Sequence, residues 1–222
     1  MPRHKIILIV IVGMCLLAAC TKPPELPFEP KIVFERVQFT QTEEGRPDSL
    51  IVSIYFEDGN GDLGLTAQET QPPYHPADIV LDNNGDTVKY SNDPELPIYN
   101  PIDWQIIRDL EGQAKDTVLV EINENHYNFF VRFYQKTGGK YVEFDWRDEP
   151  YYQTFDGRFP YLRTDGDYSD HPLEGSLRYS MLSSGWIWVF RDTLKLSIQI
   201  QDRALNKSNT VETGDFTLDG VR

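Results

Sequence analysis

Apolar and polar residues alternate along much of the chain, which predicts a protein built mainly of β-strands. In the clearest run Leu194, Leu196, Ile198 and Ile200 alternate with lysine, serine and glutamine residues. A period of two is typical of a strand that buries one face. Similar runs predict further strands at Ile32–Phe39 (with a bulge near Glu35-Arg36), Leu50–Phe56, Ile79–Leu81, Thr87–Tyr90, Thr117–Ile122, Tyr127–Tyr134, Tyr141–Trp146, Ser176–Met181 and Trp186–Phe190.

Turn residues between these runs predict how the strands connect. Asn84-Gly85 is the preferred dipeptide of a tight hairpin, and Gly138-Gly139 indicates a second one. Helix is predicted only at Ile102–Leu110, with Asp103 as its N-cap. Many short strands separated by turns indicate an all-β fold, a β-sandwich. Because residues 31–222 are long for a minimal sandwich and show no linker, we expect one domain with long insertions around residues 91–116 and 145–175.

The first twenty residues have the pattern of a targeting signal. Arg3 and Lys5 precede an apolar run, Ile6–Leu17, which is too short to span a bilayer comfortably. The next residues complete the sequence Leu17-Ala18-Ala19-Cys20, which resembles the lipobox of bacterial lipoproteins. That resemblance implies that residues 1–19 are a signal peptide and that Cys20 carries lipid. An ordinary secretory signal and a transmembrane anchor are the alternatives.

This interpretation sets expectations about the thiols, the tether and the partners. Cys15 would leave with the signal peptide and Cys20 would be acylated, so no thiol would remain for a disulfide or a cysteine-ligated metal. Residues 20–30 contain four prolines and are expected to form a semi-rigid tether to the outer membrane. The chain carries 21 basic against 35 acidic residues, a net charge of −14, which argues against a nucleic-acid partner.

One loop has the residue spacing of a calcium site. Asp58, Asn60 and Asp62 stand at alternate positions among glycines, so their oxygens can converge on one hard cation such as Ca²⁺. Glu69 lies at the twelfth position, where an EF-hand supplies a bidentate carboxylate, although Leu63 stands where that motif has glycine. The alternative is a plain turn held by side-chain-to-backbone hydrogen bonds.

Two other acidic loops are better explained without a metal. Asp82-Asn83-Asn84-Gly85-Asp86 repeats the spacing, but its flanking strands favour a simple hairpin. Asp165-Gly166-Asp167-Tyr168-Ser169-Asp170 gathers three carboxylates, which are expected to be solvated.

Several motifs together suggest a family. Asp202-Arg203-Ala204-Leu205-Asn206-Lys207-Ser208-Asn209 resembles the turn before the last strand of bacterial immunoglobulin-like modules. With the Asp58–Gly64 loop, and with Phe155–Pro160 followed by Leu173–Gly175, the chain resembles a family of immunoglobulin-like lipoproteins of Gram-negative bacteria. The resemblance implies an immunoglobulin-like sandwich and an envelope location, and it implies no specific activity.

No arrangement of residues typical of an enzyme stands out. The histidines lack metal-ligand spacing, and the chain has no Gly-x-Ser-x-Gly elbow and no phosphate-binding glycine loop. Tyr151-Tyr152 and Trp186-Ile187-Trp188, the latter with both indoles on one face of a strand, are expected either to fill the core or to stack on sugars. We therefore expect a lipid-anchored, non-enzymatic binding or structural module of the outer membrane, with a glycan or an envelope protein as its partner. The alternative is a carbohydrate-binding accessory lipoprotein of a glycan-uptake system.

Overall fold

The computed structural model describes residues 26–43, 45–91, 93–162 and 171–222, which form ten strands in three antiparallel sheets. The strands are β1 (Lys31–Thr40), β2 (Asp48–Asp58), β3 (Ala77–Ile79), β4 (Trp104–Arg108), β5 (Ala114–Ile122), β6 (Phe129–Thr137), β7 (Lys140–Phe144), β8 (Leu173–Ser183), β9 (Leu194–Ile200) and β10 (Val211–Glu212). Helical structure in these ranges is confined to the single turn α1 (Trp186–Val189) and to 3-10 turns at Glu124–His126 and Asp219–Val221.

Two of the sheets enclose the main hydrophobic core. The first has the order β1-β2-β8 and the second the order β10-β9-β6-β7. The inward residues of β2 and β9 alternate with more exposed ones, and their side chains join a single apolar cluster. Fully buried members include Leu50, Val52, Ile54, Leu194, Leu196, Ile198 and Ile200. The prediction of an all-β, sandwich-like fold is therefore confirmed.

Local features of the strands also follow the sequence pattern. The pairing of β1 with β2 shifts register between Phe34 and Arg36, which is the predicted bulge. Gly138 and Gly139 join β6 to β7 with positive φ values of 59° and 80°, as a tight hairpin turn requires. The strand predicted at Thr87–Tyr90 is an exception. These residues form only isolated bridges, from Thr87 to Leu81 and from Lys89 to Val118.

The third sheet, in the order β3-β5-β4, lies in the sequence between β2 and β6. Its strand β4 replaces the helix predicted at Ile102–Leu110, so that prediction was wrong. Ile106 and Leu110 are apolar residues at helical spacing, but both are exposed to solvent. Their spacing therefore does not mark the buried face of a helix. Antiparallel pairing with β5, which the local sequence does not reveal, decides the structure here.

The strand predicted at Trp186–Phe190 was also wrong, because these residues form α1 and its C-cap. Trp186 is fully buried and stacks on Phe155 with ring centroids 4.6 Å apart, while Trp146 meets it edge-on at 5.2 Å. Trp188 is 75% exposed, so the two indoles do not share a face. Core packing, rather than a flat sugar-binding platform, accounts for Trp186.

Within the described ranges, no helix is long and apolar enough to cross a membrane. The predicted signal peptide at residues 1–19, the lipobox Leu17–Cys20, the first part of the tether and the Asp165–Asp170 loop lie outside those ranges.

Candidate metal centre

The Asp58–Gly64 loop begins at the last residue of β2, where the sandwich ends. Asp58 is still paired with Leu173 of β8, so the first residue of the loop is held by the sheet. Gly61 and Gly64 have φ values of 65° and 109°, a region that favours glycine. The glycines therefore let the chain fold back tightly directly after Asp58.

Segments distant in the sequence hold this loop in place. The N–H of Gly59 donates a hydrogen bond of 2.7 Å to the carbonyl of Pro27, in the segment that leads into β1. The carbonyl of Asp62 accepts one of 3.3 Å from the N–H of Arg203, in the turn after β9. The loop is thus fixed by the tertiary structure rather than by its own sequence alone.

Several polar side-chain atoms of the loop are buried without a hydrogen bond of good geometry. Asp58 has an exposed fraction of 0%, and among the described residues neither of its carboxylate oxygens accepts a hydrogen bond of good geometry. The Oδ1 atoms of Asn60 and Asp62 are likewise inaccessible and unpaired in that part of the chain. Leaving a buried polar group unpaired costs about 1–3 kcal/mol, and more for a charged group. Four oxygen atoms in this condition need a compensating partner.

The Asp82–Asp86 turn shows what the same residue types do when they only stabilise a turn. There Asp82 Oδ1 accepts hydrogen bonds from the N–H groups of Asn84 (2.8 Å) and Asp86 (2.9 Å), and the loop is exposed. The prediction of a hairpin turn is confirmed by the bond from Asp82 N–H to the Asp86 carbonyl and by the φ of 86° at Gly85. The N–H groups of Asn60 and Asp62 also face the Asp58 carboxylate and lower its pKa, but they form no hydrogen bond as short and well aligned as those of Asp82. A plain turn therefore accounts for only part of the arrangement.

Electrostatic repulsion adds to the cost of burial in the loop. Burial, the negative charge of Asp62 and that of Asp202 together raise the pKa of Asp58 to about 7. The pKa of Asp62 is also raised, first by burial and then by Asp202. Backbone N–H groups of the loop offset only part of the shift at Asp58. A cation placed among these groups would offset both the cost of desolvation and the repulsion between the carboxylates.

Asp202 is a further acidic residue near this site, which the sequence did not assign to a metal. It follows β9, is 1% exposed, and has a pKa raised mainly by burial. Both of its carboxylate oxygens already accept from Asn206, from the N–H at 2.7 Å and from Nδ2 at 2.8 Å. Asp202 therefore contributes negative potential, while its hydrogen bonds form the turn predicted at Asp202–Asn209.

Two carboxylates and one amide make up the side-chain donors of the site. No group of three or more acidic, histidine or cysteine side chains converges for metal binding anywhere in the described ranges. The candidate donors are instead Asp58, Asp62 and the amide oxygen of Asn60, which suit a hard cation that also accepts backbone carbonyls and water.

Glu69, predicted as a further ligand, is engaged elsewhere. Its Oε1 forms an ion pair of 2.5 Å with Nη2 of Arg203. Its Oε2 accepts from the N–H (2.7 Å) and the hydroxyl (3.0 Å) of Thr66. These contacts lower the pKa of Glu69 to about 2, with the Arg203 bond as the largest cause. Both oxygens of Glu69 are thus already paired, and we leave it out of the proposed donor set.

Comparisons with known proteins give no further assignment. No protein-family model, no curated protein and no solved structure matches this chain.

Proposed function

We propose that this protein is a calcium-stabilised, non-enzymatic binding or structural module, held to the outer membrane by lipid on Cys20. The observation that carries the calcium part is the fully buried carboxylate of Asp58, which accepts no hydrogen bond of good geometry in the described structure and whose pKa stays raised to about 7 despite the nearby backbone N–H groups. A native protein avoids such a group unless something compensates it. The unpaired oxygens of Asn60 and Asp62 in the same loop supply the rest of the donor set.

Calcium fits this donor set better than the other common metals. All the candidate donors are oxygens, whereas zinc and copper sites in proteins rely on histidine and cysteine. Magnesium demands strict octahedral geometry and keeps several of its waters, which a buried loop does not favour. Calcium tolerates irregular geometry and mixes carboxylate, amide, carbonyl and water ligands.

The contacts of two histidines, His75 and His126, support a structural rather than a catalytic role. His75 Nε2 lies 2.9 Å from Asp78 Oδ1, and His126 Nδ1 lies 2.9 Å from the carbonyl of Tyr74. Both contacts anchor the loops that connect the third sheet to the sandwich. We therefore assign these histidines to loop stability.

The first prediction is direct calcium binding. Calorimetric titration of chelator-treated protein should show one site, and Asp62→Ala should abolish the heat of binding. At a hundredfold excess over Kd the ion should stabilise the fold by about 2.7 kcal/mol, which raises Tm by roughly 5–10 °C for a domain of this size.

The matched control is Asp86→Ala, which removes an exposed aspartate from the loop of similar sequence. It should leave both the heat and the Tm increment unchanged. If wild-type protein gives no heat and its Tm stays the same in millimolar Ca²⁺, the calcium proposal fails and the loop is only a turn.

The lipid anchor gives the second prediction. In a Gram-negative host, Cys20→Ala should eliminate incorporation of labelled palmitate and move the protein from the membrane to the soluble fraction. Cys15→Ala, which changes a residue of the expected signal peptide, should leave acylation intact. Membrane fractionation of Cys20→Ala that equals the wild type would contradict the anchor.

A further inference from the structure

A large cleft separates the third sheet from the sandwich. Its volume is about 990 Å³, at the upper end of the roughly 300–1,000 Å³ that ligand sites usually have. One wall comes from β5 and its neighbours, including Gln105 and Glu121, and the other from β6 and the loop after β7, including Arg132 and Tyr152. This cleft is distinct from the Asp58–Gly64 loop, none of whose residues lines it.

One hydrogen-bond donor in the cleft is held rigidly. Arg132 Nη1 binds both carboxylate oxygens of Asp156, at 2.9 and 3.0 Å, and Asp156 also accepts from the N–H of Val131 at 2.9 Å. The Arg132 side chain remains 47% exposed. A guanidinium fixed in this way keeps N–H groups for a ligand and loses little entropy when it binds one.

A second hydrogen-bond donor, Arg147, forms an ion pair across the cleft. Arg147, in the loop after β7, lies 3.6 Å from Asp103, which precedes β4. Both side chains are more than one third exposed, so this ion pair is weak. It can be exchanged for hydroxyl groups of a ligand at small cost, since a hydroxyl accepts from the guanidinium and donates to the carboxylate.

Aromatic rings complete the lining. Tyr127 and Tyr152 both lie in the cleft wall and are partly buried. Tyr152 has a φ of 44°, a conformation that costs a tyrosine free energy and that glycine would adopt readily. Rings with accessible faces pack against the C–H faces of sugars, while their hydroxyl groups remain available for hydrogen bonds.

The balance of charge indicates the class of ligand. The lining has acidic groups at Asp78, Asp103, Glu121, Glu124 and Asp156 against the two arginines. The net negative charge disfavours anions such as uronates and phosphates. Much of the negative charge is already paired within the protein, Asp156 with Arg132, Asp103 with Arg147 and Glu124 with Lys207, which reduces the attraction for a cation. A neutral ligand rich in hydroxyl groups can use both the donors and the acceptors.

We infer that this cleft binds a neutral oligosaccharide. The inference develops the glycan-binding alternative expected from the sequence, but it places the site at Arg132, Arg147 and Tyr152 instead of at the tryptophans of α1. It does not depend on calcium in the Asp58–Gly64 loop.

The test is a binding screen of the purified domain against immobilised neutral oligosaccharides of two to six sugar units, with uronic-acid oligosaccharides as the anionic comparison. At least one neutral class should bind, and Arg147→Ala should weaken its affinity tenfold or more, as expected for loss of a charged hydrogen-bond donor. Tyr152→Gly should have a similar effect, and thermal denaturation should show that it still folds, because glycine readily adopts a φ of 44°. The control Arg178→Ala changes an exposed arginine of β8 that does not line the cleft and should bind normally.

Three results would overturn the inference: no binding to any neutral oligosaccharide, stronger binding to the uronic acids, or neutral binding that neither cleft variant weakens. If the protein instead selected peptides from a library and bound no glycan, the ligand would be a protein and the oligosaccharide inference would be wrong. Titration of the same preparations with Ca²⁺ reads out the metal site separately, so failure of the glycan inference and failure of the calcium proposal are distinguishable.

Discussion

In chelator, the protein should lose stability as the pH rises from about 4 to about 7. The unfolded chain releases the proton of Asp58 near the ordinary pKa of 3.8, whereas the folded protein holds it up to a pKa of about 7. Between these values the native state binds more protons than the unfolded state, so the free energy of unfolding falls with rising pH. A shift of this size corresponds to about 4 kcal/mol, present in full below pH 3.8 and lost above pH 7. Asp62 and Asp202, whose pKa values are also raised, act in the same direction.

Calcium should remove this pH dependence, because the ion replaces the proton as the partner of the carboxylate. Chemical denaturation at pH 4, 5, 6, 7 and 8, with chelator and with millimolar Ca²⁺, measures the pH dependence of the free energy of unfolding in both conditions. Asp58→Asn is the informative variant, since it keeps the shape of the side chain and removes its charge. In chelator at pH 8 it should be more stable than the wild type, and in Ca²⁺ it should be less stable.

Asp86→Asn, at the same control position as before, should show the stability of the wild type in both conditions. Glu69 does not obscure the result. Its pKa is lowered to about 2, so its contribution is present above its ordinary value of 4.5 and is lost only as the pH falls toward 2. A chelated wild-type protein whose stability is flat or rising from pH 4 to pH 7 would show that the Asp58 carboxylate is not buried in the absence of metal.

The sandwich could be predicted because each of its central strands has one face that is more exposed to solvent and one face that is buried in the core. In β9 each inward residue is 0% exposed and each outward one is partly exposed, so the alternation in the sequence maps directly onto the core. The segments that were predicted wrongly lack this link between burial and pattern. β4 is an edge strand with only Trp104 buried, and α1 is too short for a helical period to show.

The candidate metal site could likewise be predicted only in part. Asp58, Asn60 and Asp62 are close in sequence, and their spacing alone predicted that they would act together. Asp202 comes near the loop only because β9 and β2 end close together, which no local pattern records. Glu69 was predicted from the spacing of an EF-hand loop, and that spacing does not reveal its ion pair with Arg203, which is distant in the sequence.

Close packing around Gly64 ties the geometry of the loop to the rest of the fold. Gly64 has a φ of 109°, and a Cβ atom there would lie 2.4 Å from the carbonyl oxygen of Pro160 and 2.4 Å from Cα of Tyr161. Both of these are backbone atoms, which cannot move aside as a flexible side chain can. The same segment receives a hydrogen bond of 3.1 Å from the N–H of Leu65 to the carbonyl of Phe159.

Gly64→Ala should therefore destabilise the protein by about 3 kcal/mol or more, because positive φ and backbone overlap act together. Gly85→Ala is the matched control: Gly85 has a φ of 86° in the Asp82–Asp86 turn, and a Cβ atom there would meet nothing within 4 Å. It should cost about 1 kcal/mol, the effect of the backbone conformation alone. Denaturation in Ca²⁺ and in chelator measures both variants, and the calcium increment should shrink in Gly64→Ala while it is preserved in Gly85→Ala. Equal losses of stability in the two variants would mean that the Asp58–Gly64 loop is not held against residues 159–162, and that its oxygens are not positioned in advance for a cation.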